Sequence, residues 1–134
     1  MEIYSDLKQK KGSGTVFDRL ESVALNQLEN IKSQTASSTN DYLSFLQEIG
    51  FGELGQSSFM IYDGLVKAEE VFGTARENIK DILLFGDDMQ GFNVGFDVRD
   101  WSVVEIDPTN MTTVVIAKNF EGFIRNKISE LEAN

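Results

Sequence analysis

Carboxylates are the side chains with chemical capacity that this sequence has in quantity. It holds 22 Asp and Glu against 12 Lys and Arg, with no histidine and no cysteine. Without imidazole or thiol there is no Ser–His or Cys–His nucleophile and no zinc site built on thiolate or imidazole. Paired carboxylates could run glycoside hydrolysis, with one acid and one base or nucleophile at a fixed separation. Glu105 and Asp107 fall on one side of a strand by period two, but a solvated sheet face explains them equally, and no spacing singles out a dyad. Asp87 and Asp88 open a turn that resembles a cation loop. A calcium loop, however, needs glycine at its sixth position and glutamate at its twelfth. Counted from Asp87 these are Phe92 and Val98, and counted from Asp88 they are Asn93 and Arg99. A tight, solvated turn between two strands is the better reading.

Residues 50–55, GFGELG, match the literal pattern of a dinucleotide fingerprint. That pattern works only where it follows a strand and opens a helix whose N-terminus meets the pyrophosphate. Here the glycines follow a predicted helix, and Glu53 would repel phosphate, so a glycine-rich helix exit is expected instead. Trp101, the single tryptophan, is either packed in the core or a partly exposed anchor at an interface.

The acid is unevenly spread. Residues 41–110 carry fourteen acids against Lys67, Arg76, Lys80 and Arg99, which accounts for the whole formal net charge of −10. So acidic a chain disfavours nucleic acid and anionic lipid as direct partners. Two explanations remain open: solubility, or a negative surface that draws in a basic protein. On the second, the candidate partner contacts are Asp63, Asp87, Asp88, Asp97, Asp100, Trp101 and Glu105.

The elements that must position these residues can be read from periodicity. At 134 residues the chain makes one domain with a core that needs no metal or disulfide. Residues 1–14, polar and broken by glycine, read as a loose arm, leaving residues 15–134 as the domain. Phe17, Leu20, Ala24, Leu28 and Ile31 recur at helical spacing and predict a helix over residues 16–31. Tyr42, Phe45, Leu46 and Ile49 predict a second, ended by Gly50 as a left-handed cap. Short strands are predicted at residues 58–62, 82–85, 92–98, 102–106 and 111–116, with turns at Asp63-Gly64 and at residues 107–110. Residues 66–72 read as a short helix or irregular segment. Asn119 is placed to cap a last helix with Phe120, Phe123, Ile124 and Ile128 on one face. The expected fold is α+β: two N-terminal helices, a mostly antiparallel sheet of about five strands and a C-terminal helix. No leader-like start and no spanning apolar run is visible, so a cytoplasmic protein is expected.

Taken in order, residues 40–52 (NDYLSFLQEIGFG), 82–97 (ILLFGDDMQGFNVGFD), 103–107 (VVEID) and 117–124 (AKNFEGFI) resemble the SUKH superfamily. That superfamily contains bacterial toxin-immunity proteins and a fungal cell-wall synthesis regulator. The resemblance spans residues 17–128. One departure is that Ser37, Ser38 and Thr39 stand where the family usually has a proline before its second helix; a hydroxyl residue can start a helix as well. The resemblance implies an α+β fold, a protein partner, and neither catalysis, metal nor cofactor. With the acidity of residues 41–110, the expected role is that of an immunity-type protein that neutralises a toxin domain, often a nuclease, by covering its basic substrate surface with carboxylates. The alternative is a regulatory or scaffold domain that binds an endogenous protein. It transfers no binding residues and leaves the oligomeric state open.

Overall fold

In the computed structural model, which describes residues 3–12, 14–73 and 76–133, the α+β architecture is clear. Short helix α1 (Ser5–Lys8) precedes strand β1 (Leu20–Glu21), and α2 (Leu25–Gln34) leads through a 3-10 turn at Ser37–Thr39 into α3 (Asn40–Glu48). Strands β2 (Phe51–Leu54) and β3 (Phe59–Lys67) follow, then the five-residue helix α4 (Ala68–Phe72). The chain returns to the sheet through β4 (Ile82–Asp87), β5 (Asn93–Asp97), β6 (Ser102–Ile106) and β7 (Thr113–Ala117), and closes with α5 (Phe120–Glu132). The seven strands form one antiparallel sheet in sequence order, each paired with the next. No helix among the described residues is long and apolar enough to cross a membrane.

The sheet therefore has seven strands rather than about five, and the differences lie at its N-terminal side. The first predicted helix is a turn, strand β1 and then the shorter α2. Phe17 and Leu20 are buried as predicted, but their spacing is met by a turn that delivers Leu20 opposite Gly52 of β2. The predicted turn at Asp63-Gly64 is the middle of β3, where the register with β4 slips between the Ile61–Gly86 and Val66–Leu84 pairs. Such a bulge absorbs residues that would otherwise end a strand. Of the predicted loose arm, residues 1–14, the described part is packed in place. Tyr4 and Leu7 are buried, the Tyr4 amide donates to Glu48 Oε1 at 2.9 Å, and its hydroxyl donates to the Asp41 carbonyl at 3.0 Å.

A single aromatic cluster holds α3 and α5 against one face of the sheet. Tyr42, Phe45, Phe85, Phe96 and Phe120 are all fully buried. Their ring centroids stand 5.0 to 5.8 Å apart, mostly edge to face, in the Tyr42–Phe85, Tyr42–Phe96, Phe45–Phe120 and Phe85–Phe120 pairs. Each such pair contributes about 0.5–1.5 kcal/mol beyond its buried area. Strand alternation sends Val103 into this cluster and Val104 and Ile106 into a second one on the opposite face, with Ala68, Ile79, Ile82, Leu84 and Met111. Helix α5 starts as expected: Asn119 Oδ1 accepts from the Gly122 amide at 2.8 Å, and Phe120, Phe123, Ile124 and Ile128 are buried.

Candidate functional site

The seven candidate contacts do not form one patch; the fold sends them to three places. Asp63 is exposed on the β3 bulge, and its carbonyl accepts from Gln27 Nε2 at 2.9 Å. It edges an open groove of about 630 Å³ floored by Phe51, Met60, Tyr62 and Val66.

Asp97, Asp100 and Trp101 sit in the β5–β6 turn, where the carboxylates are used locally. Arg99 grips Asp97 with both arms, Nε to Oδ1 at 3.0 Å and Nη2 to Oδ2 at 2.7 Å. The guanidinium holds the Asp97 carboxyl below its ordinary range and also reaches Asp81 at 3.9 Å. Asp100 Oδ1 accepts from the Ser102 amide and hydroxyl at 3.0 and 2.8 Å. Trp101 has a left-handed backbone, φ 60°, and its ring lies 5.8 Å from Phe96. A non-glycine residue tolerates that conformation at a cost of about 1–2 kcal/mol. Packing against the core offsets that cost and leaves the Trp101 ring half-buried.

Asp87, Asp88 and Glu105 lie at the other end of β5. Five residues of strand at about 3.3 Å per residue separate the two ends by roughly 13 Å. Asp87 Oδ1 accepts from the Met89 amide at 2.8 Å and its Oδ2 from the Tyr62 hydroxyl at 2.6 Å. Asn93 Nδ2 donates to that hydroxyl oxygen at 2.9 Å. Burial and then the Asp87 hydrogen bond push the Tyr62 hydroxyl's pKa up. Asp88 Oδ1 accepts from the Gln90 and Phe92 amides at 2.8 and 3.0 Å. These bonds make the tight turn expected from the sequence. None of the ion pairs among the described residues involves Asp87, Asp88, Glu105 or Asp107.

Asp88 and Glu105 share a cleft of about 540 Å³ between β6 and α5. Phe59, Val94 and Phe123 supply its apolar part, and Lys127 and Glu130 of α5 stand at its rim. Glu105 is half-buried there, and its pKa is raised, first by burial and then by the negative charge of Asp88. Asp107 adds to that effect and Lys127 opposes it. Lys127 is itself 3.5 Å from Glu130 Oε2. Among the described residues no group of three or more carboxylates is placed to hold a metal ion.

The α5 side of this cleft was not among the sequence candidates. Lys127 lies four positions after the buried Phe123 and Glu130 seven, on the same helix face, so the helical period held the signal. The glycine motif, in turn, is structural. Gly50 has φ +122°, and a Cβ there would collide with the Glu21 carbonyl of β1. Its role is to let β1 approach, while Ile49 forms the end of α3, so the expected left-handed glycine cap is replaced by a close strand contact.

Compared with models of protein families and with curated proteins, the chain matches none.

Proposed function

We propose that this chain is a non-catalytic protein-binding domain of the immunity type, which neutralises a basic toxin domain by covering its substrate surface. The observation that carries the reading is the concentration of Asp87, Asp88, Glu105 and Asp107 at one end of the sheet without ion-pair partners among the described residues. Carboxylates in that state attract a surface built to hold phosphates, and they speed encounter with it. The order of helices, meander and closing helix supports the SUKH-like reading.

The test uses the tagged full-length chain as bait in lysate of its source organism, beside the double variant Asp88→Asn, Glu105→Gln. Asparagine at position 88 keeps the oxygen that accepts from Gln90 and Phe92 and removes only charge. The wild-type bait is expected to recover a basic protein domain that high salt partly releases, and the variant about tenfold less of it. Equal recovery by both baits would overturn the acidic-surface reading. Recovery of a housekeeping protein would favour the regulatory alternative.

One observation favours a second reading. Glu105, with its raised pKa, shares a cleft with Asp88, and two carboxylates in different environments are the pattern of an acid–base pair. Under it, Glu105→Gln abolishes a hydrolytic activity towards glycosides; under the binding reading it alters only association with the partner and its salt dependence.

A further inference from the structure

The sheet does not close, so it has two edges, and they are built differently. At one edge β1 is two residues long, and short edge strands are a common device against unwanted pairing. At the other, β7 runs five residues, Thr113–Ala117, with neither charge nor proline. Val114, Val115 and Ile116 are 58%, 63% and 40% exposed. The other large exposed apolar side chains, Leu25, Val71 and Met89, are scattered singly over the surface, which is ordinary. Three in succession on an open edge is not.

Alternation decides what could cover them. Val114 stands opposite Glu105 and Val115 opposite Val104, so the two valines point to opposite faces of the sheet. A helix laid on one face would hide one and leave the other wet. A strand added alongside covers both faces and the outward row of backbone N–H and C=O groups together.

We propose that this strand is β7 of a second copy of the chain, paired antiparallel about a two-fold axis at Val115, so that two seven-stranded sheets become one. The segment is self-complementary in that arrangement: Val115 meets Val115, and Val114 meets Ile116 twice, as an isologous interface requires. The strand is uncharged, so the net charge of −10 is kept off the contact. Antiparallel pairing also brings the exposed Lys118 after each β7 to the turn that holds Asp107 before the other, giving opposite charges at both ends. That turn is tied to the strand by the Asp107 amide donating to the Thr112 carbonyl at 3.0 Å. The register shift between β6 and β7 falls at Ile116, which has no β6 partner, and leaves Thr113 to Val115 regularly paired with β6.

Two measurements on the full-length protein test this. In sedimentation velocity over a concentration series, the wild type is expected to form a dimer, and Val115→Lys to weaken it about a hundredfold by placing like charges face to face. Position 115 is exposed, so the variant's circular dichroism should match the wild type. The chain has no cysteine, which permits a second test. Val115→Cys should oxidise to a covalent dimer, because facing Cα atoms in an antiparallel pair stand about 4.5–5.5 Å apart, within disulfide range. Leu25→Cys, on exposed α2, should form no covalent dimer. A wild type that is monomeric at every concentration would overturn the proposal and assign the edge to a strand of an unlike protein. A dimer untouched by Val115→Lys, or equal cross-linking through positions 25 and 115, would overturn it as well.

Discussion

At the Asp97 end of β5, an arginine two residues along the chain closes on the carboxylate with two hydrogen bonds, Asp100 is spent on the Ser102 amide and hydroxyl, and the tryptophan folds back onto Phe96. At the Asn93 end, Asp87 and Asp88 cap backbone amides of their own turn, while Glu105 sits half-buried beside Asp88 in a shared cleft. The residue types and the local density of acid are alike. What differs is where the cations fall: Arg99 lies inside the first turn, whereas the nearest cation at the second end, Lys127, arrives from a distant helix and is drawn towards Glu130. At one end a neighbouring arginine matches the carboxylate charge; at the other, none of the ion pairs among the described residues involves Asp87, Asp88 or Glu105. A surplus of acid in a sequence therefore locates no interface until the local cations have been matched to it.

Trp101 breaks or keeps this contrast most strongly. Trp101→Ala should lower unfolding free energy by about 2 kcal/mol, less than the roughly 3–5 of a fully buried aromatic because the ring is half exposed. Urea denaturation measures it, and capture of a basic partner should be unchanged. Loss of capture with full stability would make Trp101 an interface anchor and dissolve the distinction between the two ends.

A smaller effect comes from Asp97→Asn. Asp97 has a folded pKa held below its ordinary value of 3.8 by Arg99, so the pair stabilises the fold at pH values above the unfolded carboxylate's pKa. That contribution is lost as pH falls through the lower folded pKa. The Arg99 side chain is 72% exposed, so solvent screens the pair and keeps its contribution small. The variant should be slightly less stable at pH 7, and the two proteins should converge towards pH 2. A gap that stays constant with pH would show that the hydrogen bonds, not the ionic pairing, stabilise this turn.

Much of this architecture was legible because the signals are local. Asn119 before an apolar stripe marked α5, the apolar face of Tyr42, Phe45 and Leu46 marked α3, and alternation from Phe92 to Val98 marked β5. The N-terminal side was not legible, since its structure depends on distant groups. Tyr4 is fixed by Glu48 and by the Asp41 carbonyl, with the Arg125 guanidinium 5.3 Å above its ring, and nothing near Tyr4 in sequence foretells that. The spacing from Phe17 to Ile31 satisfied a helix, yet residues 16–19 turn and Leu20 joins the sheet against Gly52. Candidate acids could be named individually, but pairing decided their roles. Asp97 and Arg99 are close enough in sequence to have suggested it, whereas Glu105 with Asp88 required the antiparallel register of Val94 opposite Glu105.

Glu105 should respond to pH in the opposite sense to Asp97, with the smallest effect of all. Its folded pKa is raised by burial and by Asp88 and Asp107, so the folded state holds the proton more tightly than the unfolded chain does. Ionisation above the folded pKa therefore costs stability, and that cost is relieved as pH falls back through it. Glu105→Gln, which is neutral at every pH, should accordingly be equal to or more stable than the wild type at pH 7, by no more than about 0.5 kcal/mol. The difference should close on acidification, once the wild-type side chain is protonated in both states. Urea unfolding of both proteins at pH 7 and pH 4 measures it. A glutamine variant less stable at pH 7 would mean that Lys127 outweighs burial and the neighbouring carboxylates, and the second end of β5 would then be as internally neutralised as the first.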